Sequence, residues 1–189
     1  MNDKKLIDDI KKAVKTAQKA ISDATGSALH RLKESKPSID VVKQLVEIIP
    51  DALSCDNVED QLPIQSAVWH PDAVKYIPVL AKEGIKYEIS GRGMWGGLLA
   101  VDPTDKDFWN PLQLIVNICD KEDPISYDTA HLEVMKELRK YNLLLQLDIK
   151  KQILFYWSCF PYQTMRFEYL AEWDPDNLMT GTYEGLPLS

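Results

Sequence analysis

The sequence predicts an all-α protein in which short helical hairpins stack one after another behind an N-terminal helix. Two observations carry this prediction. Apolar residues recur at three- and four-residue steps along residues 4–23, which is typical of an amphipathic helix. Beyond that helix, a short opening is followed by a second helical pattern, and this arrangement returns several times. One such hairpin cannot bury its own apolar face, whereas a stack of hairpins can.

The first element is the amphipathic helix of residues 4–23. Its apolar positions are Leu6, Ile10, Val14, Ala17 and Ile21. Six lysines occupy the rest of its surface, and a lysine-rich helix can also lie on a membrane surface. This apolar stripe is thin, however, and it contains no aromatic residue. We therefore expect residues 1–26 to form a capping helix that packs against the helices that follow.

Four-residue openings mark the starts of later units. They are Ser27-Ala28-Leu29-His30, Leu62-Pro63-Ile64-Gln65, Asn110-Pro111-Leu112-Gln113 and Leu186-Pro187-Leu188-Ser189. Proline suits the first helical position, where its missing N–H costs nothing, and Ser27 or Asn110 can cap a helix. Residues 153–157 open a less regular fourth unit. The successive distances between Ala28, Pro63, Pro111, Leu154 and Pro187 are 35, 48, 43 and 33 residues.

A second helical pattern follows the openings, and it is clearest in residues 38–46, 72–80 and 131–138. Pro78 falls inside one of these helices, so it should kink that helix or force a late start. The two long spacings between openings place insertions at Tyr87–Phe108 and Asp120–Tyr127.

These openings and second helices resemble those of ankyrin repeats, units of about 33 residues that pair two antiparallel helices with a projecting loop. The family's Thr-Pro-Leu-His opening is matched loosely by the four openings above, and its second helix is matched best by residues 131–138. The resemblance implies an ankyrin-like helical repeat solenoid, with about four repeats over residues 27–189 and a fifth begun where the sequence stops. It also implies that His30 forms hydrogen bonds between neighbouring loops.

Composition and charge limit the classes of protein. The 189 residues are 45% hydrophobic, enough for a packed core, and no apolar run approaches the ~20 residues that span a bilayer. The net charge of −7 argues against general nucleic-acid binding. Residues 1–36 hold nine basic and five acidic side chains, which leaves −11 for the remainder. With three cysteines and no signal peptide, we expect an intracellular, cytoplasmic protein.

The glycine-rich string Gly91-Arg92-Gly93-Met94-Trp95-Gly96 fits the GxGxxG pattern of nucleotide-binding loops. Such a loop needs a strand before it and a helix after it. Only five residues separate Gly97 from Pro103, so no crossover helix fits. We interpret Gly91–Gly97 as a flexible inserted loop, and a nucleotide-binding or enzymatic module that uses this loop is the alternative.

No other motif predicts a catalytic group, a cofactor or a metal ion. His30, His70 and His131 lie at least 40 residues apart, and none has a Cys or His at metal-ligand spacing. We expect His131 to be a surface or capping residue at the start of a helix. Cys119 and Cys159 follow apolar runs, so buried and unreactive thiols are expected there. Tyr156 and Trp157 are expected in the core.

We therefore expect a protein–protein interaction scaffold without catalytic activity. Neighbouring repeats hold one another in place, so their concave face and loops lose little conformational entropy when a partner binds. The candidate contact residues lie near predicted helix ends and loops, and they are Trp69, His70, Tyr76, Arg92, Met94, Trp95 and Trp109. Trp and Arg often concentrate binding energy at interfaces. A structural alternative is a homo-oligomer that assembles through exposed repeat ends.

Overall fold

Helices form the regular secondary structure of the chain. The computed structural model describes residues 3–89, 93–101, 109–159 and 162–180, and these ranges contain helices and no strand. The prediction of an all-α protein is confirmed. No helix within the described ranges is both long and apolar enough to cross a membrane.

Eleven α-helices follow one another along the described residues. They are α1 (Asp3–His30), α2 (Leu32–Ser35), α3 (Ile39–Ile48), α4 (Pro63–Val68), α5 (Ile77–Lys86), α6 (Pro111–Asn117), α7 (Pro124–Lys140), α8 (Gln146–Lys151), α9 (Leu154–Ser158), α10 (Thr164–Trp173) and α11 (Pro175–Thr180). Two 3-10 turns, Pro50–Ser54 and Val74–Tyr76, precede α4 and α5. Proline lies in the first turn of α4, α5, α6 and α7, where its missing N–H breaks no hydrogen bond.

The helices pack in two rows. In the first row, α1, α4, α6 and α9 contact one another in that order, and in the second row α3, α5, α7 and α10 do the same. Along the chain, each helix of the first row precedes one helix of the second. The buried apolar side chains, from Leu29 to Leu170, form one cluster with members from both rows. The helices of the two rows therefore share one apolar core.

Among the described side chains of the first helix, those that pack on the body lie in its last turns. α1 continues through the predicted boundary after residue 26, so Ser27 lies inside a helix and does not cap one. Among its described side chains, those of residues 11–21, 23 and 24 are exposed, whereas Gly26 and Leu29 are buried. Over this exposed part, the helix predicted as a cap over residues 1–26 does not pack on the helices that follow.

Two prolines set where the second-row helices begin. The late start predicted from Pro78 is confirmed, since α5 begins at Ile77 and the proline lies in its first turn. α7 begins at Pro124, so half of the predicted insertion Asp120–Tyr127 is helical. The Asp123 side chain caps this helix by accepting a hydrogen bond from the Ser126 N–H at 3.3 Å.

The described part of the glycine-rich segment is packed and not loose. Of the predicted flexible loop Gly91–Gly97, Gly96 and Gly97 are buried and Trp95 packs on the core, and Leu98 and Ala100 directly after it are fully buried. Gly96 has a φ of 63°, and a Cβ atom added there would overlap the carbonyl oxygen of Ala81 in α5. Only glycine allows this close approach of two backbones.

We expect Gly96→Ala to lower the free energy of unfolding by about 2–4 kcal/mol, because the new Cβ overlaps α5 and disfavours the positive φ. The measurement is urea denaturation followed by circular dichroism. Met94→Ala is the matched control, since Met94 lies in the same segment with its side chain 65% exposed. Equal stability of the two variants would contradict the packing described.

A buried ion pair joins α10 to α7 and α6. The Arg166 Nε donates to Asp128 Oδ1 at 2.7 Å, and its two other nitrogens donate to the carbonyl oxygens of Ile115 at 2.7 Å and Ile118 at 2.9 Å. The second oxygen of Asp128 accepts from the Met165 N–H at 2.9 Å. Arg166 is 0% exposed and Asp128 is 4% exposed. Burying two charges costs free energy, and this cost is offset here because the polar atoms of both side chains are hydrogen-bonded.

His131 lies beside this ion pair, which corrects its predicted surface position. α7 begins seven residues before it, so the ring lies in the middle of a helix that packs on both sides, and it is 0% exposed. Its Nε2 is 3.0 Å from the Val68 carbonyl oxygen, and its Nδ1 is 2.8 Å from that of Tyr127. Burial and the Arg166 guanidinium lower the pKa of His131 to about 4, although the two carbonyl oxygens favour the charged ring.

We expect the protein to lose stability as the pH falls from 6.5 towards 4, because His131 takes up a proton in the unfolded chain before it does so in the folded one. Its contribution is complete above pH 6.5 and is lost towards its folded pKa of about 4. At pH 5 the loss is about 2 kcal/mol. Urea denaturation at pH 7 and pH 5 measures this difference.

In His131→Gln the difference in stability between pH 7 and pH 5 should be smaller by about 2 kcal/mol. His70→Gln is the control. It should retain most of the difference in stability, because His70 is more exposed than His131 and burial therefore disfavours its charged form less. A pH dependence that is the same in all three proteins would show that His131 is not its source.

Candidate functional site

A groove of about 510 Å³ runs along the exposed side of α4. Its lining comes from the junction of α1 and α2, from the loop before α4, and from α4 with the two residues after it. The lining residues are His30, Lys33, Glu34, Asn57, Glu59, Gln61, Ser66, Trp69 and His70. We call this surface the α4 groove. Three segments that are distant in sequence therefore form one polar concavity with an aromatic side chain in it.

The local structure of α4 explains which side chains line the groove. The helix begins at Pro63 and ends at Val68, and the backbone of Trp69 is still in the helical region. Ser66, Trp69 and His70 are three and four residues apart, so they share one face of the helix. Ile64, Ala67 and Val68 are buried on the opposite side. The apolar pattern of α4 therefore turns its polar face towards the groove.

His30 holds two walls of the groove together. Its Nε2 donates to the Cys55 carbonyl oxygen at 2.8 Å, and its Nδ1 accepts from the Ser66 hydroxyl at 3.0 Å. Burial lowers the pKa of His30, which keeps the ring neutral and suits this pair of bonds. The Asn57 side chain donates to the Ser66 oxygen at 3.1 Å and accepts from the Gln61 N–H at 3.0 Å. The loop before α4 is thus fixed by side-chain hydrogen bonds.

The rim of the groove carries the groups that a partner can reach. Trp69 is 42% exposed, and its carbonyl oxygen accepts from the Tyr127 hydroxyl at 3.3 Å. The Lys33 ammonium lies 2.9 Å from His70 Nε2, so the lysine donates to a neutral ring. Burial and the charge of Lys33 lower the pKa of His70. The indole and the lysine–histidine pair lie side by side at the opening.

The structure brings together two of the predicted contact residues, Trp69 and His70, and places the others elsewhere. Met94 is 65% exposed, whereas Trp95 is partly buried against the core. Trp109 packs on Trp157 with ring centroids 4.3 Å apart. None of these three side chains lines the α4 groove. Arg92, like Gly91, lies outside the described residues.

Tyr76 is a correction to the predicted contact set. It belongs to the 3-10 turn that packs on α4, α5 and α7, and it is 0% exposed. Its hydroxyl donates to the Pro37 carbonyl oxygen at 2.6 Å. A tyrosine whose hydroxyl finds a backbone acceptor can be buried completely. Tyr76 therefore stabilises the stack and presents no atom to a partner.

Sequence reasoning did not predict most of the polar lining, which includes Lys33, Asn57, Gln61 and Ser66. Ser66 directly follows Gln65, the position of the second opening that corresponds to His30. The loop residues carried no such signal. Asn57 and Gln61 come to the groove through an Asx-type turn that only the folded loop reveals.

Equivalent positions in three units form the same kind of bond to the next unit. The fourth residues of the first three openings are His30, Gln65 and Gln113. The first donates to the carbonyl oxygen of Cys55 at 2.8 Å, the second to that of Ala100 at 3.2 Å and the third to that of Gln152 at 3.4 Å. Each acceptor lies in the segment that precedes the next first-row helix. These bonds form a ladder, which we call the opening ladder.

Two other groups of predicted residues differ from expectation. Cys119 and Cys159, predicted to be buried thiols, are only partly buried. Tyr156 is 40% exposed, because it lies on the outer side of the short helix α9 whose Leu154 and Phe155 face the core.

Within the described ranges, no three His, Cys, Asp or Glu side chains lie close enough together to hold a metal ion.

The described glycines of the predicted nucleotide loop pack closely against other backbone atoms of the protein. A Cβ atom on Gly93 would lie 2.7 Å from the Ala100 nitrogen, and one on Gly96 would overlap Ala81. A loop that cradles phosphate leaves its glycines open to the ligand. This geometry favours a packing role for Gly93 and Gly96.

Comparison with known proteins yields no relative. No family model, no curated protein and no solved structure matches the chain. The interpretation of the α4 groove therefore depends on its own geometry.

We expect His30→Ala to lower the free energy of unfolding by about 1–3 kcal/mol, because the Cys55 carbonyl and the Ser66 hydroxyl both lose a partner. His30→Gln should lose less, because glutamine already makes the equivalent bond at Gln65 and Gln113. Chemical denaturation of the three proteins tests this order. A glutamine variant no more stable than the alanine variant would contradict the equivalence of the three positions.

Proposed function

We propose that the chain is an ankyrin-like repeat solenoid that binds a segment of another protein in the α4 groove and carries out no catalytic step. The observation that carries the proposal is the groove itself, where the exposed indole of Trp69 lies beside His70 and Lys33. Tryptophan in a concave and otherwise polar surface is a typical centre of binding energy.

The repeat architecture is supported by the order of helix contacts. The pairs α4 with α5, α6 with α7, and α9 with α10 give three successive hairpins, and α1 and α3 before them both contact the 3-10 turn Pro50–Ser54. The opening ladder links the end of α1 and then α4 and α6 each to the segment before the next first-row helix. In this proposal the fourth residue of each ankyrin-like opening forms the hydrogen bond to the next unit, and this residue is glutamine instead of histidine in the second and third units.

The groove is suited to binding because its walls are fixed before a partner arrives. His30, Asn57 and Ser66 bond to one another, so these side chains lose little further entropy on binding. The rim carries both signs of charge, Lys33 against Glu34 and Glu59, and a partner segment with mixed polar groups suits it. Against Trp69 we expect the segment to place an apolar or aromatic side chain.

We expect Trp69→Ala to weaken partner capture by roughly thirtyfold or more, the effect of removing a residue that supplies about 2 kcal/mol of binding energy. Partners are captured by cross-linking the purified chain in native extract, and the bound proteins are quantified by mass spectrometry. Tyr141→Ala is the matched control, because Tyr141 is also 42% exposed but does not line the groove.

Proteins that the wild-type chain and the Tyr141→Ala variant capture, and that Trp69→Ala loses, are the partners expected of the groove. Circular dichroism of Trp69→Ala confirms that its fold is unchanged. If all three proteins capture the same set in the same amounts, the α4 groove is not the binding surface.

A further inference from the structure

Between residues 11 and 24, α1 carries exposed apolar side chains that nothing in the described part of the chain covers. α1 has 28 residues, and the side chains of residues 11–21, 23 and 24 are all exposed. On this stretch Val14 is 51% exposed and Ile21 is 52% exposed. Most of a helix's stability in water comes from burying its apolar face. A long helix with an open β-branched stripe therefore requires a partner surface.

The stripe has the spacing of a coiled-coil seam. Its residues alternate at steps of three and four, and they are Ile7, Ile10, Val14, Ala17, Ile21, Ala24 and Ala28. In heptad notation the a positions begin with Ile7, Val14 and Ile21, which are all β-branched, and the d positions are Ile10, Ala17 and Ala24. The 22 residues of the seam extend for about 33 Å along the helix. A seam of this spacing and length is suited to packing against a second helix.

The charged residues of α1 lie outside the a and d positions of this seam. The g positions beside it hold no charge, and they are Leu6, Ala13, Ala20 and Ser27. Lys12 and Lys19 occupy f positions on the opposite side, and Lys11 at e faces an uncharged g position of a parallel partner. No pair of like charges meets across the seam when two copies align in parallel. The small alanines at Ala17 and Ala24 also allow the two helices to approach closely.

We propose that α1 of one chain pairs with α1 of a second copy along this stripe to form a two-stranded coiled coil, so that the protein is a homodimer. The seam is distinct from the repeat ends and from the α4 groove, whose lining begins at His30. An anionic membrane is the other surface that attracts a lysine-rich helix. The stripe is poorer in that role, because alanines bury little apolar area in lipid and no aromatic residue anchors it.

Analytical ultracentrifugation of the full chain tests the proposal. At about 0.1 mM protein we expect twice the mass of one 21.6 kDa chain, with dissociation on dilution. Val14→Asp and Ile21→Asp each place a charge in the seam, and each should raise the dissociation constant of the dimer by roughly tenfold or more. Thr16→Asp adds the same charge at an exposed position outside the seam and should remain dimeric.

Three results would overturn the proposal. They are a monomeric wild-type chain at this concentration, a dimer that Val14→Asp and Ile21→Asp leave intact, and a monomer that binds vesicles of anionic phospholipid through the same stripe. Circular dichroism separates a loss of pairing from a loss of folding, since the body should keep its helicity in every variant. Partner capture through Trp69 is measured separately, so failure of one proposal leaves the other intact.

Discussion

Helices of six and seven residues are not stable in water alone, so α4 and α6 depend on contacts with the rest of the protein, and one side chain in each first turn provides a specific one. The Gln65 oxygen accepts from the Leu62 N–H, which has no partner within the helix, and the Gln65 nitrogen donates to the Ala100 carbonyl of the following segment. The Gln113 amide does the same between Asn110 and the segment after α8. One amide thus completes its own helix and binds the next unit, so each unit is stable only beside its neighbour.

The second row is joined by a different kind of contact. Arg166 and Asp128 form an ion pair in the core, where an unpaired charge is far more costly than at the surface. Because the guanidinium also binds two carbonyl oxygens at the end of α6, α10 can pack in only one register against α6 and α7. The His131 ring continues this network to α4 through Val68. Cohesion in this half of the protein therefore combines nearest-neighbour packing with one specific polar cluster.

The features that the sequence predicted are those set by short-range chemistry. Pro63 and Pro78 lie in first turns as expected, because a missing N–H is tolerated only there. The burial of Tyr76 and His131 was not predictable in this way, because their acceptors are 39 and 63 residues away in sequence. From the sequence alone, a polar side chain is predicted to lie at the surface. It can be buried only where the fold places a carbonyl oxygen within hydrogen-bond distance of it. An amphipathic pattern such as that of α1 likewise predicts an apolar face without stating what covers it.

The position of His30 connects the two proposed surfaces. It is the last residue of α1 and also part of a wall of the α4 groove, so the helix continues directly into the groove. Gly26 strengthens this connection, because its backbone lies against Cys55 at the start of the loop that borders the groove. Two chains paired along α1 would therefore hold two grooves at a fixed separation. A partner with two copies of the recognised segment would then bind the second groove at a high effective concentration, so weak contacts at each Trp69 would combine into tight binding.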